Sequence, residues 1–165
     1  LFMDILWAPW RAEYVEGSGK KKKGCVFCRI LREKKDARNF IFLRSAHSFA
    51  VLNIYPFNGG HALVLPQRHA GALEDLSEAE RTDLMNTLLR VKGLLQKALK
   101  PQAFNIGMNS GHVSGAGIPE HVHLHIVPRW SGDINFMPAV FGTKVIPVSL
   151  KKVYRMIKDA EQGSH

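Results

Sequence analysis

Residues 121–127 read HVHLHIV, and this alternation of histidine with aliphatic side chains decides how the chain folds. In an extended strand, successive side chains point to opposite faces of the sheet. His121, His123 and His125 therefore share one face, while the aliphatic residues face a core. An accidental histidine-rich edge strand would give the same pattern. Because imidazole is both a nucleophile and a metal ligand near neutral pH, we interpret the row as a site of metal or phosphate chemistry.

Short strands are predicted on both sides of this stretch. Strands are expected at 40–44, 48–53 and 61–66, where aliphatic and aromatic residues are bounded by turn residues. A fourth strand is expected at 103–108, and Pro128 is expected to end the histidine strand. The pattern predicts an α+β fold built on an antiparallel sheet.

Two helices are predicted to accompany the sheet. Ser77 and Glu80 form a capping box at the start of a long helix, and Pro101 follows its end. The apolar stripe of this helix should cover one face of the sheet, and an amphipathic helix is expected near the C-terminus. The stripe comprises Leu84, Leu88, Val91, Leu95 and Leu99, widened by Met85 and Leu89, and the C-terminal helix contains Leu150, Val153, Met156, Ile157 and Ala160.

Length and composition limit the class of protein. With 165 residues, 45% of them hydrophobic, the chain is long enough for one domain with its own core. We expect an aromatic arm and basic linker at 1–24 and a catalytic domain at 25–165. No apolar run reaches the length of a membrane span and no secretion signal is evident, so a cytoplasmic protein is expected.

The formal net charge of +9 favours binding of polyanions, a class that includes nucleotides. The local run of lysines at 20–23 lies between glycines, which is typical of a solvated linker. No aromatic platform or nucleic-acid-binding module accompanies the charge, so the sequence argues against a dedicated nucleic-acid binder.

Cys25 and Cys28 form a CxxC motif that is compatible with three roles. A redox pair is one, although the thioredoxin-like βαβ pattern is missing. A packed hydrophobic turn is another. We favour a zinc site, because His69 and His121 would complete a tetrahedral Cys2His2 set. Such a site would hold the N-terminal segment against the sheet.

A glycine-rich loop leads into the histidine strand. Gly115, Ala116 and Gly117 allow backbone N–H groups to approach an anion, so a loop of this kind beside histidines indicates a phosphate cradle. An ordinary turn between neighbouring strands would have the same composition. His61 follows two glycines, and it joins the imidazole cluster if its strand lies next to the histidine strand.

The chain resembles the histidine triad superfamily of nucleotide hydrolases and transferases. Residues 121–127 match the signature His-φ-His-φ-His-φ-φ, in which φ is hydrophobic. The stretch FAVLNIYPFNGGH at 49–61 extends the resemblance, which covers about residues 25–130. LWAPWR at 6–11 and PRWSGD at 128–133 are most similar to the fragile-histidine-triad branch, which includes bacterial diadenosine polyphosphate hydrolases and phosphorylases.

The resemblance implies a role for each candidate residue. His123 corresponds to the nucleophile that attacks the α-phosphorus, His125 to its neighbour at the phosphate, and His61 to an accessory histidine. Asn53 corresponds to a ribose contact and Asn109 to a phosphate contact near the glycine loop. In zinc-containing members, the ligand positions correspond to Cys25, Cys28, His69 and His121.

The sequence departs from the superfamily pattern just before the triad. Many members have Gly-Gln-(Ser/Thr)-Val there, whereas residues 117–120 read GIPE and the stretch is one residue shorter. The superfamily pattern therefore does not identify the polar donors near the leaving group of this chain. Some relatives in the branch lack zinc, and the expected zinc would be structural because four protein ligands leave no open position.

These features predict an enzyme that splits dinucleoside polyphosphates through a covalent nucleotidyl-histidine, without a catalytic metal. Water is ranked above phosphate as the acceptor of the nucleotidyl group. A nucleoside phosphoramidase falls in the same chemical class. A protein that senses dinucleotides without turnover is the alternative of a different class, although such a protein would not need a nucleophile at His123. The resemblance also implies a homodimer.

Overall fold

The computed structural model describes residues 24–133, 146 and 148–163, so the predicted aromatic arm and most of the basic linker lie outside the described residues. The described part has the predicted α+β fold. Its helices are α1 (Val26–Glu33), α2 (Asp36–Asn39), α3 (Glu78–Leu99) and α4 (Leu150–Gln162). Its strands are β1 (Ile41–Arg44), β2 (Ser48–Leu52), β3 (Ala62–Pro66), β4 (Ala103–Gly107) and β5 (Leu124–Arg129).

The five strands form one antiparallel sheet in the order β1-β2-β3-β5-β4. β5 therefore lies between β3 and β4, with Leu63 opposite His125 on one side and Gly107 opposite His125 on the other. This topology brings the residues that precede β3 next to the histidine strand. The prediction that His61 lies beside the histidines depends on this neighbourhood, and it is confirmed.

The two faces of the sheet bury different cores. Val122, Leu124 and Ile126 pack with the buried side of α3 and with α4. On the opposite face, α1 contributes Phe27 to a smaller cluster with residues of β1, β2 and β3. The rings of His121 and His123 lie against Phe27, with centroid distances of 5.5 and 5.4 Å. The predicted alternation is thus confirmed, since the imidazoles and the aliphatic side chains occupy opposite faces.

The regular strand is shorter than the predicted one, because β5 begins only at Leu124 and contains His125 alone of the three histidines. Pairing with β3 stops at Val64 opposite Leu124, so residues 121–123 have no strand partner among the described residues. They lie outside the ladder. The hydrogen-bonded strand therefore does not position His121 and His123.

Pro128 does not end the histidine strand, contrary to our prediction. It lies within β5 and pairs with Phe104 of β4. Its carbonyl accepts a hydrogen bond from Nδ2 of Asn58, on the side away from β4. The missing N–H of Pro128 faces that same side, beyond Ala62, the first residue of β3, which pairs with Ile126, so no ladder hydrogen bond is lost there.

The long helix α3 confirms the capping box and most of the apolar stripe. The side chain of Ser77 accepts from the N–H of Glu80, whose carboxylate accepts from the N–H of Ser77. Leu84, Leu88, Val91 and Leu95 are buried, but Met85 and Leu89 are 51% and 62% exposed, so these two do not widen the stripe. Each follows a buried leucine by one residue and therefore lies about 100° further round the helix than Leu84 or Leu88.

Gly60 fixes the entry to β3 and hence the position of His61. Its φ is +78°, and a Cβ there would meet Cδ1 of Leu99 at 2.3 Å and Cγ of Pro128 at 3.2 Å. The adjacent Gly59 has no neighbour within 4 Å of such a Cβ. The loop therefore contacts α3 and β5 through the glycine that directly precedes His61.

We expect Gly60→Ala to lower the free energy of unfolding by about 2–4 kcal/mol, from left-handed backbone strain and overpacking against Leu99. Gly59→Ala is the matched control and should change it by no more than about 0.5 kcal/mol. Urea unfolding followed by circular dichroism measures both. Equal losses in the two variants would contradict the proposed role of the close contact.

Candidate active site and metal centre

His123 is held by its own backbone in one tautomer. Its Nδ1–H donates to the carbonyl oxygen of His121 at 2.8 Å, because a carbonyl can only accept. The neutral ring therefore carries its lone pair on Nε2. His123 is only 7% exposed, and burial lowers the pKa of its imidazole, which favours the neutral form. A neutral imidazole with a fixed tautomer is suited to nucleophilic attack.

His61 and His125 form a second hydrogen-bonded pair beside His123. The backbone N–H of Phe57 donates to Nδ1 of His61 at 3.0 Å, so this nitrogen is an acceptor and the proton of His61 is on Nε2. That Nε2–H donates to Nδ1 of His125 at 2.9 Å. The proton of neutral His125 is consequently on its own Nε2, and its ring centroid lies 5.0 Å from that of His123.

Asn53 belongs to the support of His61. Its Oδ1 accepts from the N–H of Tyr55 at 2.9 Å, which directs Nδ2 to Nδ1 of His61 at 3.3 Å. Two donors therefore converge on the same ring nitrogen of His61. The sequence associated Asn53 only with the ribose, whereas the structure shows both ends of its amide engaged with the loop that carries Phe57.

Sequence reasoning missed other residues that fix the position of His61. Asn58 is buried; its carbonyl accepts from the N–H of His61, and its Nδ2 donates to the carboxylate of Asp133. Arg129 pairs with that carboxylate at 2.7 Å. Phe57 stacks on His61 with ring centroids 4.9 Å apart. Asn58 lay in a predicted loop and Asp133 in a flanking motif, but neither pattern indicates these contacts.

The structure brings the four predicted metal ligands together on the other side of His123. Sγ of Cys25 lies 3.3 Å from Nδ1 of His121, and Sγ of Cys28 lies 3.4 Å from Nδ1 of His69. All four candidate ligand atoms lie within 4.8 Å of one another. Cys25 and Cys28 lie at the start of α1, and His69 follows the end of β3. These residues can bind a metal ion.

The distances and the donor atoms fit a tetrahedral ion. Metal–sulfur and metal–nitrogen bonds of about 2.3 and 2.0 Å at a tetrahedral angle place sulfur and nitrogen about 3.5 Å apart. The Sγ–Nδ1 distances of Cys25 and Cys28 to His121 are 3.3 and 3.6 Å. Nε2 of His121 donates to the carbonyl of Pro66 at 3.0 Å, which leaves the Nδ1 lone pair directed at the thiols.

The glycine-rich loop before the histidines contains two residues, Gly111 and Gly115, in the left-handed backbone region that favours glycine. Residues 112–114 form a 3₁₀ turn bounded by Gly111 and Gly115, with φ of +82° and +84°. Among the described residues, no hydrogen bond or ring contact joins Asn109 or residues 115–117 to the imidazoles. The structure therefore brings together the histidines and the metal ligands, but it does not connect the predicted phosphate loop to them directly.

The chain belongs to the HIT-domain family, whose model matches residues 34–132. This match confirms the resemblance to the histidine triad superfamily that the triad and its flanks indicated. The family model begins after Cys25 and Cys28 and ends within the expected catalytic domain at 25–165. Among the described residues, no helix combines the length and apolar character needed to cross a membrane.

Two curated relatives have enzyme names. The chain is 35% identical over 159 residues to the AP-4-A phosphorylase of Mycobacterium tuberculosis, covering 92% of this chain and 81% of the relative. It is 39% identical over 102 residues to the asymmetrical bis(5'-nucleosyl)-tetraphosphatase of Schizosaccharomyces pombe, covering 62% and 56%. The chain is accordingly an enzyme of the HIT nucleotide hydrolase and transferase type.

A solved structure of a zinc-bound histidine triad family protein from Mycobacterium smegmatis has a similar fold. Its TM-score is 0.63 at 25% sequence identity, and the match covers 85% of this chain and 94% of that one. This likeness agrees with the α+β fold, with its antiparallel sheet, long helix and C-terminal helix.

Proposed function

We propose that the chain cleaves dinucleoside polyphosphates by attack of His123 on the α-phosphorus. The hydrogen bond from Nδ1–H of His123 to the carbonyl of His121 is the observation that carries this proposal. It leaves the Nε2 lone pair for attack, and the bond from the α-phosphorus to the bridging oxygen breaks as the new bond forms. The leaving polyphosphate carries away the electron pair, and the nucleotidyl group remains on His123.

His125 and His61 are proposed to stabilise the charge that develops during this attack. The hydrogen-bond chain from Phe57 N–H through His61 places a proton on Nε2 of His125. A donor at that position, beside the attacking ring, can bind a phosphate or leaving-group oxygen. Loss of one such donor typically lowers the rate by about 10²–10³.

Substrate contacts are proposed for Asn53, Asn109 and the backbone of Gly115, Ala116 and Gly117. Asn109 and Ala116 are half-buried and the two glycines are exposed, so their polar groups are accessible to a ligand. A ribose that binds Asn53 must share its amide with His61 and Tyr55. The names of the relatives, a phosphorylase of AP-4-A and a tetraphosphatase, support a dinucleoside tetraphosphate as substrate.

His123→Ala should lower the turnover of diadenosine tetraphosphate by at least about 10³-fold, because it removes the imidazole proposed to form the covalent intermediate. Affinity for AMP, measured by calorimetry, should change little. His47→Ala, at an exposed histidine in the β1–β2 turn, is the matched control and should retain full activity. Residual activity of more than a few per cent in His123→Ala would exclude the covalent route.

Phosphate is the second candidate for the acceptor of the nucleotidyl group. The Mycobacterium tuberculosis relative named a phosphorylase matches 92% of this chain, which favours it. The net charge of +9 is compatible with binding a second anion. Water stays the first candidate, because no particular side chain of the described site requires phosphate.

The two acceptors give different products from diadenosine tetraphosphate. Hydrolysis after attack at the α-phosphorus should give AMP and ATP, and phosphate should have no effect on the product ratio. Phosphorolysis would give ADP and ATP. Chromatography of reactions with and without inorganic phosphate measures this. ADP that rises in proportion to phosphate, with AMP absent, would reverse our ranking.

We propose that the metal held by Cys25, Cys28, His69 and His121 is zinc. Two thiolates and two imidazoles are its usual structural ligands, and four protein donors leave no position for substrate. When bound, zinc would supply a rigid cross-link between α1 and the sheet rather than Lewis-acid chemistry. The thiols must be reduced to bind it, which agrees with the expected cytoplasmic location.

Elemental analysis of protein purified without added metal should find about one zinc per chain. Chelation should lower the melting temperature, since the cross-link joins α1 to His69, which follows β3, and to His121, which precedes β5. The Cys25→Ser/Cys28→Ser variant should contain no zinc and should not respond to chelator. A wild-type chain without zinc, with the same melting temperature in chelator, would reject the site.

A homodimer is proposed through the β4 edge of the sheet. Ile106 of β4 is 47% exposed, and Met85 and Leu89 of α3 are exposed as well. Lys92, on the same side of α3, lies over the ring of Phe104 at 5.9 Å, which places this helix face beside β4. Within the described residues β4 pairs on one side only, and such an edge flanked by apolar side chains is suited to pairing with a second copy.

Sedimentation equilibrium should show a dimer at micromolar concentration, and Ile106→Lys should shift it towards monomer by placing a charge in the interface. Val113→Lys is the matched control, because Val113 is fully exposed in the glycine loop and should leave the dimer intact. A wild-type monomer under these conditions would contradict the proposal.

A further inference from the structure

The loop between β2 and β3 presents large apolar side chains to solvent beside the histidines. Ile54 and Tyr55 are exposed, and Phe57 is 42% exposed although its ring lies against fully buried His61. Clustered exposed apolar side chains at the rim of a polar site are typical of a surface that binds a ligand or a partner. The phosphate chemistry proposed for the histidines does not account for them, because phosphates bind polar groups.

Hydrogen bonds hold this loop in a defined conformation around the aromatic residues. The N–H of Tyr55 donates to Oδ1 of Asn53 at 2.9 Å, and the N–H of Phe57 donates to Nδ1 of His61 at 3.0 Å. Asn58 is buried, and its Nδ2 donates to a backbone carbonyl of β5 at 3.0 Å. The backbone that carries both rings is therefore preorganised, and a ligand that contacts them loses little affinity to the ordering of the loop.

The ring of Phe57 connects this loop to the imidazoles. It stacks on His61 with a centroid distance of 4.9 Å and an interplanar angle of 21°, and on His125 at 6.1 Å and 28°. The centroid of His125 lies 5.0 Å from that of His123. The aromatic ring is thus linked to the proposed nucleophile through His125, by two ring-to-ring steps.

The position of Phe57 relates it to one end of the substrate. In the proposed reaction the nucleotidyl group stays on His123 and its ribose is assigned to Asn53, whereas the polyphosphate departs beside His125. A dinucleoside polyphosphate carries its second nucleoside at the far end of that polyphosphate. Nucleobases have flat faces that stack on aromatic side chains. Phe57, which stacks on His125, is therefore placed to meet the base of the departing nucleotide.

We infer that Phe57, with Tyr55 beside it, is a specificity-determining residue that stacks on the nucleobase of the departing nucleotide. The enzyme thereby selects dinucleoside polyphosphates over mononucleoside polyphosphates with the same phosphate chain. This inference rests on the proposed function in taking His123 as the nucleophile and His125 as the residue beside the leaving group. Stacking depends little on the identity of the base, so adenine and guanine are both accepted at this position.

Two substrates that differ only at the far end provide the test. Diadenosine tetraphosphate and adenosine 5′-tetraphosphate share the adenosine, the α-phosphorus and the tetraphosphate chain, but only the first carries a second base. The value of kcat/KM is measured for both with the wild-type chain, Phe57→Leu and Phe57→Trp. Leucine keeps apolar volume without an aromatic face, and tryptophan restores such a face. Any loss that acts through His61 lowers both values alike and cancels in their ratio.

The expected result is a loss of the preference for the dinucleotide. In wild type, kcat/KM should be higher for diadenosine tetraphosphate, and Phe57→Leu should lower the ratio of the two values about 5–100-fold through loss of one base–aromatic stack. Phe57→Trp should keep the ratio within about twofold, and Tyr55→Leu should lower it less than Phe57→Leu. An unchanged ratio in Phe57→Leu would overturn the inference, because Phe57 would then only support His61. A wild type without preference would overturn it as well.

Binding measurements separate failure of this inference from failure of the proposed function. By calorimetry, Phe57→Leu should weaken binding of a methylene-bridged analogue of diadenosine tetraphosphate more than binding of the matching analogue of adenosine 5′-tetraphosphate. If wild type cleaves neither natural substrate, the proposed chemistry is wrong, while the calorimetry still decides whether the second base binds Phe57. If both are cleaved and the ratio is unchanged in Phe57→Leu, the chemistry stands and the stacking is wrong. A changed oligomeric state of Phe57→Leu with an unchanged ratio would assign the exposed residues to a protein interface instead.

Discussion

The alternation of side chains along residues 121–127 makes the core and the site depend on one piece of backbone. Val122 and Ile126 are held in a core of fully buried aliphatic residues, so their positions leave little freedom to the histidines between them. A slip of one residue would place imidazoles against α3 and expose the aliphatic side chains. The hydrophobic core therefore sets the register of the histidines in this segment.

Much of the fold could be predicted because it depends on local chemistry. The capping box of Ser77 and Glu80 and the buried stripe of α3 depend on residues close in sequence. The start of β5 depends instead on where its pairing with β3 stops, at Val64 opposite Leu124, which HVHLHIV does not encode. Pro128 was misjudged for the same reason, since a proline is tolerated wherever the neighbouring strand has ended. Met85 and Leu89 lie beside the stripe on the helix surface, and their exposure becomes evident only once the helix is placed on the sheet.

The candidate site likewise contains residues that the sequence predicted and residues that it did not. The triad, His61 and the four metal ligands are residues of unusual chemistry, and the resemblance was sufficient to group them. The supports of His61 are a backbone N–H at Phe57, the carbonyl of Asn58 and the carboxylate of Asp133. Backbone donors carry no signature in the sequence, and Asn58 and Asp133 lie 75 residues apart. Such contacts arise only once the loops have been placed by the sheet.

The different tasks of four similar imidazoles follow from their hydrogen-bond partners. His121 donates from Nε2 to a carbonyl and offers Nδ1 to a metal, whereas His123 donates from Nδ1 and offers Nε2 to an electrophile. His61 accepts at Nδ1 from a backbone N–H and donates its Nε2–H to Nδ1 of His125. Burial lowers the pKa of His121 and His123, which favours the neutral rings that these partners require. Each neutral imidazole has one N–H and one nitrogen lone pair. The hydrogen-bond partner of one nitrogen therefore determines whether the other nitrogen donates a proton or offers its lone pair.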